Sequence, residues 1–313
     1  MSGLAVLIVM SFAAFFVWWV IGADSIPPAI GPVASGVRSI GVLRGALIGG
    51  VFGFLGAAVQ GGRVAKTIGS GLLAGRAYPT TVAAVVLAVA CILVAIGVFL
   101  HIPIPLVFAS VGGLLGAGLG FGAVWNVGRV YTLLAVWILT PFAGLSLGYV
   151  FTKGTRRFLG GKKRKLMEAL LFLMGMFAAY TCGANHVGIA AGLLSGCVDL
   201  PLRLLLITGG ATILLGVWLG GPRIVNAVSK EYSEMGVRRS TCALAATSII
   251  SYSATLLGIP VPFTVLVIFP IIGSGLAVGK RKIQRGKIER TILAWCLVLF
   301  GSMGMGWLVG SLM

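Results

Sequence analysis

Long apolar runs separated by short basic breaks are the feature that most restricts how this chain can fold. Each run approaches or exceeds the ~20 residues that a helix needs to cross the hydrocarbon core of a bilayer. Only 10% of the residues are charged, whereas soluble domains carry about 25%. The pattern therefore predicts an all-α integral membrane protein. The uncharged runs cover residues 3–21, 80–100, 130–152, 204–222, 240–279 and 291–313.

The positions of the basic residues predict an orientation. We count five crossings in each half of the chain, about ten in all. If the N-terminus lies outside, 19 of the 24 Lys and Arg residues fall in cytoplasmic breaks, in agreement with the positive-inside rule. The prediction is a multi-pass protein of the cell membrane, with both termini outside and the basic loops in the cytoplasm. The crossings lie near 3–22, 43–60, 79–100, 103–119, 129–151, 166–182, 203–219, 240–257, 261–279 and 291–312.

Short motifs repeat between the halves at offsets of 157 to 161 residues. Gly22-Ala23-Asp24-Ser25 corresponds to Gly183-Ala184-Asn185-His186, and Ile102-Pro103-Ile104-Pro105 corresponds to Ile259-Pro260-Val261-Pro262. An odd number of crossings per half makes the two repeats inverted. We predict a first repeat at 1–152, a basic cytoplasmic linker at 153–165 and a second repeat at 166–313.

The repeated motifs also predict broken helices that meet near the membrane midplane. Pro27 and Pro28 cannot continue a helix, and irregular backbone at this depth is tolerated only where it is buried or lines a cavity. New half-helices would begin at Ala29 and Ile189, and their N-terminal N–H groups would favour an anion. The proline pairs 103/105 and 260/262 would begin two further short, re-entrant helices in the same way.

These segments resemble the inorganic phosphate transporter (PiT) family of phosphate and sulfate permeases. That family repeats a G-A-N-D-x-x-N signature and a later P-V-S-T-T-H segment in two inverted halves. The resemblance implies a secondary active permease for a small inorganic oxyanion, with phosphate as the substrate and sulfate as the alternative. The Asp of the family's G-A-N-D signature is replaced here by Ser25 in the first half and by His186 in the second. These replacements remove oxygen ligands suited to sodium. We therefore expect proton coupling.

Six residues are candidates for the substrate site, and two of them also for proton coupling. Asp24 and His186 are the proposed proton carriers, because both can titrate and because ionisable groups inside a membrane are usually functional. Asp24 could instead cap a half-helix, and His186 could be a structural hydrogen-bonding residue. The candidate substrate ligands are Asp24, Ser25, Asn185, His186, Ser195 and Thr264.

Other classes of function fit the composition less well. The net charge of +18 could indicate nucleic-acid binding, but the basic residues lie between crossings, where they would meet anionic lipids. The five cysteines lack C-x-x-C spacing, and we expect neither metal nor cofactor. An enzyme would need a nucleophile–base pair that two histidines and six acidic residues barely supply. A non-transporting membrane homologue stays open, and so does a homodimer.

Overall fold

Helices form nearly all of the computed structural model, which describes residues 3–74, 78–100, 104–158, 164–226, 235–279 and 285–312. Two short antiparallel strands, β1 (Leu73–Ala74) and β2 (Val124–Trp125), pair with each other. The helices are α1 (Gly3–Val20), a π-helical turn (Ile21–Ser25), α2 (Pro27–Gly36), α3 (Val42–Gln60), α4 (Gly62–Lys66), a second π-helical turn (Thr67–Gly71), α5 (Thr80–Leu100), α6 (Leu106–Gly120), α7 (Val127–Phe158), α8 (Arg164–Ser195), α9 (Leu202–Leu219), α10 (Gly236–Leu256), α11 (Phe263–Leu276) and α12 (Arg285–Gly310).

Six helical spans are long and apolar enough to cross a membrane. Three shorter apolar helices accompany them, at Thr80–Ile96, Leu106–Gly120 and Phe263–Leu276. The prediction of an all-α, multi-pass membrane protein is therefore confirmed. Among the described residues the six spans are Leu4–Gly36, Val42–Gln60, Val127–Arg157, Arg164–Ser195, Leu202–Leu219 and Ile292–Gly310.

Helix packing pairs elements of one half with elements of the other. The most extensive interface joins α6 to α12, and its counterpart joins α11 to α7. A central group contains α1, α2, α3, α8 and α9. Gly53 of α3 contacts Ile213 of α9, and Ala57 contacts Gly210, so these equivalent helices run antiparallel. Inverted halves would produce this arrangement, and the placement of each half relative to a bilayer stays a prediction.

Close helix contacts at glycine recur in both halves. In α3, Gly56 lies against the carbonyl of Tyr180, and in α9, Gly216 lies against the carbonyl of Trp19. A methyl group at either position would collide with that carbonyl, so the absence of a side chain permits the close approach. The two contacts are related by shifts of 160 and 161 residues, which match the offsets of the sequence motifs. A related pair in the outer helices joins Gly306 to Gly113 and Gly148 to Pro270.

The two signature segments differ in backbone structure. In the first half, Pro27 begins α2 two residues earlier than predicted, and the preceding turn widens so that Ile26 N–H donates to the Ile21 carbonyl. In the second half the predicted break at 183–188 is wrong, because α8 continues unbroken from Arg164 to Ser195. Its sequence contains no proline, and its glycines face neighbouring backbone, so nothing interrupts the hydrogen-bond ladder. No half-helix therefore begins at Ile189.

Both predicted proline-initiated short helices are present. α6 follows Pro105 and α11 follows Pro262, and each proline has an extended backbone immediately before the first helical turn. Pro103 lies outside the described residues. The predicted linker is partly helical, since α7 extends to Phe158 and α8 begins at Arg164. The predicted first boundary at residue 152 therefore falls inside a helix.

Candidate functional site

Asp24 and Ser25 line a small pocket on the first-half side of the central helices. Both belong to the π-helical turn, and both are partly buried. The pocket is completed by apolar residues of α1 and α5 and by the residues that lead into α6. Among the described residues, neither side chain has a hydrogen-bond partner. The other lining residues are Phe16, Val17, Val20, Ile21, Cys91, Val94, Ile104 and Leu106.

Asn185 is fully buried and joins α8 to the segment before α11. Its amide nitrogen donates to the Thr255 hydroxyl and to the Ile259 carbonyl, both at 3.0 Å. Its amide oxygen accepts from the Val261 N–H at 2.9 Å. Both N–H groups are therefore already used, and an anion could bind this amide only by replacing one of these partners. The geometry gives Asn185 the role of positioning the residues that begin α11.

His186 follows Asn185 on α8 and is 3% exposed. Its Nδ1 lies 3.2 Å from the Cys182 carbonyl and 4.0 Å from the Cys182 thiol. The Phe263 ring packs edge-on against the imidazole, with ring centroids 6.0 Å apart. A hydrogen at Nδ1 that donates to the Cys182 carbonyl would leave Nε2 as a proton acceptor. His186 therefore lies between α8 and the first turn of α11.

The first signature segment packs against the helix of the second. The π-helical turn that carries Asp24 contacts α8, the helix that carries Cys182 and His186. Trp18 fixes α1 against α8, because its indole N–H donates to the Val187 carbonyl at 3.2 Å. Within the part of the chain that the structure describes, Asp24 and His186 form neither a hydrogen bond nor an ion pair. The two proposed proton carriers are thus not directly paired in this conformation.

Two other candidate residues lie at different levels of the molecule. Thr264 is in the first turn of α11, next to the Phe263 ring that contacts His186. Ser195 is the last residue of α8, and its hydroxyl donates to the Gly192 carbonyl at 2.8 Å. Ten residues of helix separate it from Asn185, which corresponds to about 15 Å along the axis. Asp24 and Ser25 thus lie on the π-helical turn, Asn185 and His186 on α8 and Thr264 at the start of α11, whereas Ser195 lies at the C-terminus of α8.

Sequence reasoning missed Cys182, Thr255 and Phe263 as parts of this region. Cys182 is one helical turn before His186, so the spacing could have indicated its proximity. Thr255 and Phe263 are 70 or more positions from their partners on α8, and no local pattern predicts such contacts.

Described acidic residues other than Asp24 include Glu168, which pairs with Arg164 at 2.8 Å.

Apolar spans and closely packed helices define this chain as a multi-pass membrane protein by class. The model of the phosphate transporter family matches residues 21–306. The chain therefore belongs to the phosphate transporter family, as its motifs predicted. Members of this family are transporters, and the expectation of a transport protein in place of an enzyme agrees with that membership.

Relatives carry names for two oxyanions. The chain is 27% identical over 298 residues to the sulfate permease CysP of Bacillus subtilis, covering 93% of this chain and 84% of the permease. It is also 27% identical over 266 residues to a protein of Rhizobium meliloti that is named a probable low-affinity inorganic phosphate transporter, with 79% of each chain covered. Similarity in sequence thus extends across proteins named for phosphate and for sulfate.

A solved structure, described as the sodium-dependent phosphate transporter, has the same fold. The two structures superpose with a TM-score of 0.81 at 19% sequence identity, and 98% of each chain is covered. At this level of identity the likeness establishes the fold of the whole chain.

Proposed function

We propose that this protein is a secondary active permease for a small inorganic oxyanion, with phosphate as its first substrate. The observation that carries the proposal is the convergence of the signature segments: Asp24 and Ser25 line a pocket, and the turn that carries them packs against α8, the helix of Asn185 and His186. Family membership supports phosphate. A carboxylate in the site also fits phosphate, because protonated phosphate can donate a hydrogen bond to it.

Sulfate is the second candidate, and the similarity to a sulfate permease favours it. Sulfate carries no proton near neutral pH and can only accept hydrogen bonds. An ionised Asp24 would repel it, so sulfate transport through this pocket requires Asp24 to be protonated or turned away. The two substrates therefore make opposite demands on the same carboxylate.

Proton coupling is part of the proposal, with Asp24 and His186 as the proton carriers. Asp24 has no ion-pair partner in the described part of the chain, and a proton on it would remove a charge that opposes the anion. A proton on His186 would add a charge that attracts the anion. Sodium coupling is the competing mechanism, because the structural neighbour is described as sodium-dependent.

We further propose that both termini lie outside, that the basic loops are cytoplasmic and that a homodimer is the assembly to test.

The test is transport by purified protein in liposomes. Radiolabelled phosphate uptake is measured with an imposed pH gradient, with and without sodium, and in competition with sulfate, thiosulfate, molybdate and chloride. Phosphate uptake that follows the pH gradient without sodium supports the proposal. Sulfate uptake that phosphate does not inhibit would move the assignment to the second candidate, and uptake that requires sodium and ignores pH would overturn proton coupling.

A further inference from the structure

A second group of polar side chains lies where α3 and α4 pack against the C-terminal end of α10. The Gln60 amide nitrogen is 3.4 Å from the Tyr252 hydroxyl. Arg63 donates from Nη1 to the carbonyl of Leu256. Gln60 and Arg63 are three residues apart and contact positions four residues apart on α10, so both face the same strip of that helix. We call Gln60, Arg63 and Tyr252 the α3–α10 cluster.

Arg63 supplies the positive charge of this cluster. Its guanidinium has five N–H donors, and a single acceptor, the Leu256 carbonyl, is present among the described residues. The side chain is exposed, so the remaining donors are available to a ligand. No carboxylate of the described residues forms an ion pair with it. A planar, permanently charged guanidinium is well suited to bind phosphate or sulfate through paired hydrogen bonds.

Gln60 provides an independent sign that a polar partner belongs here. Its Oε1 position is buried and has no hydrogen-bond partner. The two ends of a glutamine amide are assigned from their hydrogen bonds, and the opposite orientation would let the Tyr252 hydroxyl donate to the oxygen. The buried end would then be an NH₂ group without an acceptor. A buried amide of this kind is costly to leave without a partner, so a bound acceptor would relieve it.

The cluster lies beside the part of α8 that carries the second signature. The backbone before Arg63 contacts α8 at Gly188, three residues beyond Asn185, which is about 4.5 Å along the helix axis. The Tyr252 ring contacts Phe177, close to the middle of α8, with the ring centroids 5.2 Å apart and the ring planes 54° apart. Charged and amide groups next to a membrane crossing normally face water or protein and not lipid. The cluster therefore fits the wall of an aqueous vestibule.

The cluster and the signature segment hold the same piece of chain. Arg63 donates to the Leu256 carbonyl, and the hydroxyl of the preceding residue, Thr255, accepts from the Asn185 amide. Asn185 also donates to the Ile259 carbonyl and accepts from the Val261 N–H. This segment leads directly into α11 and to the Phe263 ring beside His186. A ligand at Arg63 would thus be separated from the candidate substrate site by one short stretch of backbone.

We propose that Gln60, Arg63 and Tyr252 form an entry site that binds the oxyanion before it reaches the signature segments. The inference rests on the proposed function, because the ligand of the entry site is the transported anion. The residues lining the pocket at Asp24 include no Lys or Arg. In this proposal, Arg63 supplies a fixed positive charge that attracts the anion. If Arg63 instead only caps the C-terminus of α10, its removal affects folding and leaves anion affinity unchanged.

The experiment compares Arg63→Gln, Arg63→Lys and Tyr252→Phe with wild type in proteoliposomes. Arg203→Gln is the matched control, because Arg203 is an exposed basic residue outside the cluster. We expect Arg63→Gln to raise the KM for phosphate roughly tenfold to a hundredfold, the range for loss of charge-assisted hydrogen bonds, with a maximal rate within about twofold. Arg63→Lys should recover part of the affinity, and Tyr252→Phe should have a smaller effect.

Salt dependence and equilibrium binding separate the possible outcomes. The wild-type KM should rise with ionic strength, and this dependence should weaken in Arg63→Gln and persist in Arg203→Gln. An unchanged KM in Arg63→Gln, or a fall in maximal rate and melting temperature alone, overturns the entry site. If wild type transports no oxyanion, the proposed function fails. Binding of labelled phosphate or sulfate then decides the entry site separately: binding lost in Arg63→Gln supports it, and binding that is absent or unchanged contradicts it.

Discussion

The segment from α1 to α2 and the helix α8 each carry one copy of the repeated signature, but the polar side chains of the two copies differ in their hydrogen bonds. In the first half two prolines follow a widened turn, and Asp24 and Ser25 line a pocket without hydrogen-bond partners in the described part of the chain. In the second half the helix is continuous, and Asn185 has three hydrogen bonds to other segments. Asn185 of the second signature is thus committed to holding the structure, whereas Asp24 and Ser25 of the first keep polar side chains that are free to take a partner.

This difference has a physical origin in the prolines. Pro27 and Pro28 remove N–H donors, which prevents a regular ladder and leaves the Asp24 turn widened. In α8 every backbone group can be satisfied within the helix, so its polar side chains are available for contacts with other helices. A transporter built from related halves can therefore give corresponding positions different roles, with Asn185 as a scaffold residue and Asp24 as a reactive one.

The largest effect is expected from removal of the Asn185 amide. Asn185→Leu leaves the Ile259 carbonyl, the Val261 N–H and the Thr255 hydroxyl without this partner, and unsatisfied buried groups cost about 1–3 kcal/mol each. We expect a clear fall in melting temperature in detergent and in the fraction of folded protein. Asn126→Ala is the control, because it removes a single N-terminal cap of α7, worth about 1 kcal/mol. Equal losses in the two variants would contradict the scaffold role.

The next effect concerns Asp24 and tests the reactive half of the comparison. Asp24→Asn should reduce uptake driven by a pH gradient about tenfold to a hundredfold. The amide of the variant cannot take up or release a proton, and it cannot form a charge-assisted hydrogen bond with the substrate. The melting temperature should change little, because Asp24 has no partner to lose in the described structure. Asp199→Asn applies the same change to an exposed residue. Full pH-driven uptake in Asp24→Asn would assign the proton to another group.

A smaller and more symmetric effect is expected at the repeated glycine contacts. Gly56→Ala and Gly216→Ala each place a methyl group against a carbonyl of the neighbouring signature helix, and overpacking of this kind costs about 1–3 kcal/mol. The two losses should be similar if the halves are related. Gly154→Ala is the control, since nothing lies within 4 Å of the added methyl group. A loss at one glycine only would separate the packing of the two halves.

The smallest effect is expected at Ser195, which the motifs included among the substrate ligands. Its hydroxyl bonds the Gly192 carbonyl at the end of α8, about 15 Å from Asn185 along the helix. Ser195→Ala should therefore change the KM for phosphate less than twofold, whereas Thr264→Ala, beside Phe263, should change it more. A large rise in KM for Ser195→Ala would show that the transport path extends to this end of α8.

Local chemistry made several features predictable from sequence. Apolar runs of membrane length determine helices because lipid offers no partner for backbone polar groups, so the helical, multi-pass class could be predicted without a structure. Prolines act on their own turn, and the starts of α6 and α11 after Pro105 and Pro262 followed from that local effect. Motifs that recur at near-constant offset indicated the family and the correspondence between halves.

Tertiary structure decided what the local pattern does not encode. The continuity of α8 depended on whether glycines at 183 and 188 would interrupt a helix, and packing against the backbone of α3 and α4 supports an unbroken one. The partners of Asn185 lie 70 to 76 positions away in the sequence, and the Leu256 carbonyl that Arg63 contacts lies 193 positions away. Hydrophobic runs specify that a segment is buried in lipid or protein, but the pairing of polar groups requires that distant helices be brought together first.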